Sequence, residues 1–334
     1  MSPDHPPPPS SEAAGHAGDS ASEPTLLPIA VVGAGAVGCY YAGLLARAGL
    51  PVTLIARGAA VAALRTTGLV IESGGRSETL HLEVADTPAA AANAALVLVC
   101  VKSSDTAQAA RELAPHLQTD ALVVSLQNGV TNGDELLAGL PQPVVPAAVY
   151  VATVLAGPGH VQHHGGGALT IGSPRSRPVS RERIDAIVRL FAQADIPVTP
   201  HEDIRAVLWG KLAVNCVYNA LSAITQNDYG TLVASERICK VMHQVIDEAV
   251  AIARAQDIDL GADAHARIMG VAGMMPRQRS STAQDVARQR ATEIDHLNGY
   301  LVREGERLGI DTPVNRTLHA LVRAIEEGYL KRSG

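Results

Sequence analysis

The chain has 334 residues, 47% hydrophobic and 18% charged, enough to bury a large core as one big domain or two ordinary ones. A net charge of −6 leaves no basic footprint for nucleic acid, so RNA and DNA are not expected as partners. With only seven Tyr, one Trp and one Phe, the core must be built from Ala, Val, Leu and Ile.

Residues 1–25 are rich in Pro, Ser, Gly and Ala and are expected to form a disordered tail, because they cannot bury enough to offset ordering entropy. From Leu26 to Ala46 no residue is charged, which a hydropathy scan would take for a membrane span. Pro28, Gly33, Gly35, Gly38 and Gly43 interrupt that run, and the segment before it carries acids but no Lys or Arg. A strand, a tight turn and a helix explain it better, so no membrane partner is expected. Cys39, Cys100, Cys216 and Cys239 show neither C-x-x-C spacing nor a His/Cys cluster. They read as buried, reduced thiols of a cytoplasmic protein with no metal site.

Gly33-Ala34-Gly35-Ala36-Val37-Gly38 matches G-x-G-x-x-G directly after a strand and at the start of a helix. The first glycine permits the turn, the second lets backbone approach a pyrophosphate, and the third lets the helix pack on the strand. "PVTLIAR" (51–57) is the second strand. An NAD site usually ends this strand with Asp or Glu; here Ala56 and Arg57 stand there, and a guanidinium suits the 2′-phosphate of NADP(H). Segment 68–85 reads as a hairpin around Gly74-Gly75. "ALVLVCVK" (95–102) and "ALVVSLQNG" (121–129) are continuous apolar strands, as parallel strands covered on both faces require. Lys102 and Asn128 follow them, at the edge where such sheets bind ligands. Strand-like pieces near 144–155, 160–164 and 168–172 precede a helix at about 180–194. His163 and His164 fall among them and read as exposed or structural.

Beyond residue 200 the periodicity is helical in four long stretches: 202–225, 235–256, 283–309 and 315–330. Thr312-Pro313 has the form of an N-cap followed by proline at the first helical position. The expected fold is α/β: a Rossmann-type doubly wound sheet over 26–200 that binds NADP, then an all-α domain over 201–334. Within 202–225, Lys211, Asn215 and Asn219 are spaced i, i+4 and form a slanted polar row on an apolar helix. Burying such groups is costly unless the protein or a ligand supplies partners.

These pieces together resemble the ketopantoate reductase (2-dehydropantoate 2-reductase) family. "VVGAGAVG", the arginine after the second strand, "CVKSSDT", "QNGV", "LWGKLAVNCVYNALSAIT", "SSTAQDVARQRATEIDHLNGYLVREGERLGI" and "TPVN" run in the family's order from about residue 28 to 320. Thr282-Ala283 depart from the bulkier apolar residues common there, and the N-terminal extension is not part of the pattern. The resemblance implies NADPH-dependent reduction of ketopantoate, a small anionic 2-keto acid, to pantoate. It implies Lys211 as general acid, with Glu293 of T-E-I-D beside it. Asn215, Asn219 and Ser281 would contact substrate, Asn128 would meet both nicotinamide and substrate, and Lys102 would lie on the cofactor side. Negative charge developing on the ketone oxygen suits a nearby ammonium that then donates a proton.

Competing structural roles exist. Lys211 could reach out to solvent, the two asparagines could satisfy backbone, and Glu293 could pair with Arg290. Ser281 with Gln284 fits a capping box. Asp295 and His296 read as helix surface. Rival functions are a related 2-keto acid, β-hydroxyacid or opine-type dehydrogenase, and a non-catalytic NADPH-sensing module. A homodimer is compatible with the sequence.

Overall fold

The structure, a computed structural model, describes residues 27–331. The expected tail lies outside them. The chain opens with β1 (Ile29–Val32), α1 (Ala36–Arg47), β2 (Val52–Ile55) and α2 (Ala59–Thr67). β3 (Leu69–Ser73) and β4 (Arg76–Leu80) form the expected antiparallel hairpin. Its two turn residues, Gly74 and Gly75, both have positive φ (57° and 76°), the requirement of a type I′ turn. β5 (Glu83–Ala85), β6 (Leu96–Val99), α3 (Thr106–Leu113), β7 (Leu122–Ser125) and α4 (Asn132–Gly139) follow. The sheet part ends with β8 (Val144–Gly157), β9 (His160–Ile171), α5 (Arg181–Ala192) and β10 (Val198–Pro200).

The strand order is β4-β3-β9-β8-β7-β6-β1-β2-β5, with β10 paired to β9. Pairing from β5 across to the first residues of β8 is parallel. β8 then continues antiparallel to β9 from Ala147 onward, which joins the hairpin side to the doubly wound side. The pieces expected at 160–164 and 168–172 are one strand. Gly165, Gly166 and Gly167, all at positive φ, carry β9 through register shifts against β8 that side-chain-bearing residues would resist.

β6 shows why the apolar runs read correctly. Leu96 and Leu98 point into a core shared with α1 and α5, while Val97 and Val99 point into a second core shared with α3 and α4. A strand buried on both faces has no polar side to alternate.

Every remaining element is helical: α6 (Ile204–Thr225), α7 (Tyr229–Val233), α8 (Glu236–Ala255), α9 (Ala264–Met274), α10 (Ser281–Ala287), α11 (Asn298–Leu308) and α12 (Pro313–Leu330). The fold is thus a Rossmann-type sheet followed by an all-α region. Asp203 caps α6 by accepting from the Arg205 and Ala206 backbone N–H groups. Among the described residues α6 alone is long and apolar enough to cross a membrane, but 67% of its apolar window is buried. It is the central core helix, packed by α8, α9, α10, α12 and β8.

Two local expectations are corrected. The stretch 283–309 is not one helix: α10 stops at Ala287, Gln289 adopts φ 54°, and a 3-10 turn at Ile294–His296 precedes α11. Residues 287–291 are exposed, and Thr292 is held by Glu326, a buried acid of α12 that accepts from its backbone N–H and hydroxyl at 3.1 Å each. Thr312 stands at the N-cap of α12, but its hydroxyl makes no cap bond. Glu248 of α8 does that work, accepting from the N–H groups of Val314 (2.8 Å) and Asn315 (2.9 Å).

Candidate active site

The glycine motif forms a shaped cradle. Gly33 has φ 107°, and a Cβ there would lie 2.9 Å from the Val101 nitrogen. A Cβ on Gly38 would come within 1.9 Å of the Gly33 carbonyl oxygen, so only glycine lets α1 approach β1 this closely. A Cβ on Gly35 would meet nothing within 4 Å. Two glycines are thus demanded by packing, and the middle one, the N-cap of α1 with no side-chain cap, opens onto a groove. That division fits a dinucleotide, whose pyrophosphate would meet the uncapped N–H groups of α1. Ala34, Ala36 and Val37 are half-buried along the same turn.

The groove, about 270 Å³, runs from this turn past Ala56 and Arg57 to Lys102 and Glu112. Arg57 is 66% exposed and ion-paired with Glu112, near the C-terminal end of α3. Lys102 lines the groove but reaches across to the helical part. Its ammonium donates to the Ala291 carbonyl at 2.7 Å and lies 3.7 Å from the Asp285 carboxylate. Burial raises the Asp285 pKa against the pull of Lys102.

At the ends of β6 and β7 the sheet meets α6. Lys211 donates to Asn128 Oδ1 at 2.9 Å. The Asn128 backbone carbonyl is in turn fixed by Ser103 Oγ at 2.8 Å and by the Asn132 amide. Glu293 stands at the N-cap position of the 3-10 turn, but its side chain makes no cap bond; it accepts from the Ser103 N–H at 3.1 Å, and no ion pair with Arg290 occurs among the described residues. The break in the helix matters here, because it releases Glu293 toward the sheet. Burial lowers the Lys211 pKa to about 8, while the charge of Glu293 pulls it upward. Lys211 therefore points into the junction between sheet and helices.

Asn215 is half-buried and Asn219 buried, one and two turns along from Lys211. Neither side-chain amide makes a hydrogen bond among the described residues, and the structural role considered for them is not seen. The row continues to the start of α10, where Ser280 Oγ donates to the Asn219 carbonyl at 3.3 Å. Ser280, not Ser281, is the N-cap: it accepts from the Ala283 N–H at 3.0 Å. The capping box expected of Ser281 and Gln284 does not form: the cap is Ser280, its N3 residue is Ala283, and the Gln284 amide donates to the Arg279 carbonyl at 3.2 Å instead. Ser281 is exposed on the first turn with its hydroxyl unengaged.

Other expectations sort plainly. His163 stacks on Tyr40 (4.6 Å between centroids) and bonds Ser73 Oγ, a structural role. Asp295 is not plain helix surface. It lies on the 3-10 turn, 2.6 Å from His319 and 3.7 Å from Arg323. All four thiols are free, and burial pushes Cys39 up to about 12. No metal-binding cluster occurs among the described residues.

The sequence did not point to Ser103, Asn132 or Tyr150. Ser103 lies inside "CVKSSDT" and was hidden by its neighbour Lys102. Tyr150 is 45% exposed in a strand of small aliphatic residues, with its ring centroid 5.8 Å from the Lys211 ammonium.

Residues 29–176 match the family described as ketopantoate reductase PanE/ApbA, and residues 203–326 match its C-terminal companion. A 2-dehydropantoate 2-reductase of Archaeoglobus fulgidus is 34% identical over 90% of this chain and 98% of its own length. The chain belongs to the ketopantoate reductase family. This reductase is accordingly an oxidoreductase with a nicotinamide cofactor and a small keto-acid substrate. A 2-dehydropantoate 2-reductase of Vibrio cholerae is 32% identical over 91% of this chain and 99% of its own. The crystal structure of a PanE/ApbA family ketopantoate reductase from Ralstonia eutropha JMP134 is 50% identical, with TM-score 0.84 over 90% of this chain and 99% of that one. A D-mandelate dehydrogenase bound to NADH and anilino(oxo)acetate, at 22% identity and TM-score 0.83 over 90% and 98%, shares the fold.

Proposed function

We propose that this reductase uses NADPH to reduce 2-dehydropantoate to pantoate in the cytoplasm, with Lys211 as general acid. The observation that carries the proposal is the Lys211 ammonium held by Asn128 where the helices meet the ends of β6 and β7. Open α/β sheets bind ligands at that edge.

When bound against Gly33, Gly35 and Gly38, the cofactor supplies hydride to the C2 ketone. The protein does the rest. Asn128 keeps Lys211 aimed into the junction, and Ser103 and Asn132 keep Asn128 in place. Lys211 stabilises the charge that develops on the ketone oxygen and then hands it a proton. Asn215 and Asn219 offer unengaged amides to the hydroxyl and carboxylate oxygens, and Ser281 adds a hydroxyl at the end of the row. Glu293 supports the protonated form of Lys211. Of the residues that line the groove, Arg57 would meet the 2′-phosphate, and Lys102 would lie on the cofactor side.

The test follows NADPH oxidation with ketopantoate, α-ketoisovalerate and oxaloacetate, expecting the highest kcat/KM for ketopantoate. Lys211→Ala should lose about 10²–10⁴-fold in kcat if the lysine is the acid. Full activity in that variant removes the role, and an unchanged NADPH preference in Arg57→Asp removes the cofactor assignment.

A further inference from the structure

The guanidinium assigned to the 2′-phosphate does not stand free. Arg57 and Glu112 face each other across the groove as an ion pair, 55 residues apart in sequence. Gln108, one turn earlier on α3, donates to the other Glu112 oxygen at 2.7 Å. The carboxylate is therefore held from two sides, and at 29% exposure it is the better shielded member of the pair. The groove also carries Asp86 and Asp105, so three carboxylates line it against the two cations Arg57 and Lys102. That is an acid-rich lining for a site that takes a phosphomonoester.

A 2′-phosphate entering here must share or contest the Arg57 guanidinium with Glu112, and in either case lies close to a carboxylate of like charge. A ribose 2′-hydroxyl meets neither obstacle and finds an acceptor. In dinucleotide sites that acceptor usually stands at the end of the second strand. Here β2 runs out into Ala56 and Arg57, and the acid arrives from α3 instead.

We propose that Glu112 is a specificity-determining counterweight in the cofactor groove. It competes with the 2′-phosphate for Arg57 and supplies the acceptor for a 2′-hydroxyl, so the groove admits NADH alongside NADPH. The inference rests on the proposed function only for the location of the adenosine ribose.

The test is calorimetric binding to the full chain of two fragments that lack nicotinamide, 2′-phospho-ADP-ribose and ADP-ribose. Glu112→Gln keeps an oxygen for the Gln108 amide while removing the charge; Glu112→Ala removes both. Glu112→Gln should bind 2′-phospho-ADP-ribose about 10-fold more tightly and ADP-ribose about threefold more weakly, with the first effect shrinking as salt rises. Glu112→Ala should shift the ratio of affinities in the same direction. A ratio that moves less than threefold in both variants, or both ligands changing by one common factor, overturns the proposal. A wild-type chain that prefers ADP-ribose removes the NADPH reading alone, because the shift on replacing Glu112 decides the counterweight separately.

Discussion

An amine that gives up a proton near neutral pH cannot keep its ordinary pKa, and Lys211 is brought from 10.5 to about 8 by burial. The rate of ketone reduction should therefore fall as pH rises through about 8, measured as kcat/KM from pH 6 to 10; a flat profile would exclude Lys211 as the acid. The same shift bears on stability. Between 8 and 10.5 the unfolded chain holds this proton and the folded chain does not, so the folded state is penalised below 8 and relieved as pH rises to 10.5. Lys211→Met should then unfold at higher urea than wild type at pH 7, by roughly 1–2 kcal/mol after solvent screening, with the gain gone near pH 10.5. Tyr150 is the neutral neighbour. The β-bulge at Tyr150/Val151 presents its ring to the Lys211 side, and a Cβ on Gly166 would sit 2.4 Å from the Tyr150 carbonyl. Tyr150→Ala should cut kcat/KM about 3–10-fold by removing the ring, while Tyr150→Phe stays near wild type. Lys211 and its two asparagines were legible because helix spacing exposes a polar row on an apolar face. Tyr150 was not, since strand alternation carries no sign of a bulge.

Among the elements, the T-E-I-D-x-x-N-G stretch divides its labour. Glu293 faces the site, whereas Thr292 is tied to buried Glu326 and Asn298 donates to the Cys216 carbonyl of α6 (3.0 Å) and to Asn315 Oδ1 (2.9 Å). Asn315 in turn donates to Glu248 at 2.7 Å. One carboxylate on α8 thereby fixes the start of α12, which holds α11 against the helix that carries Lys211. Glu248→Ala should lose about 2–3 kcal/mol, the sum of a cap and a buried amide left without its acceptor, read as an earlier thermal midpoint. The parallel strands were legible because burial on both faces makes them unbroken apolar runs. The helix break at 287–293 was not, because apolar spacing continues through Val286, Ile294, Leu297 and Leu301. The broken segment is held by distant partners: Glu326 takes Thr292 from 34 residues away, Tyr329 donates to the Arg290 carbonyl and Lys102 to the Ala291 carbonyl, distances no local pattern spans.

At the scale of the molecule, three hydrogen bonds carry the sheet onto the helices beside the glycine cradle: Lys211 to Asn128, the Ser103 N–H to Glu293, and Lys102 to the Ala291 carbonyl. They join residues 83, 190 and 189 apart, so the site exists only in the folded whole. The motifs were visible in the sequence, but their meeting was not, because it depends on how far α10 and α11 are parted. Glu293 couples the two halves electrostatically as well as mechanically. Its side chain anchors to Ser103 on the sheet side, and its charge opposes the fall that burial imposes on Lys211. Asn128 and Tyr150, which also face the ammonium, are neutral and cannot replace that charge. Glu293→Gln keeps an oxygen for the Ser103 N–H and discards the charge. Its alkaline limb should move to lower pH by roughly one unit, with kcat at pH 6 largely kept. Glu293→Ala discards the anchor too, so it should show the same displaced limb together with a raised KM. If the Gln variant keeps the wild-type limb while the Ala variant loses activity at every pH, Glu293 acts as a strut alone and its electrostatic role fails.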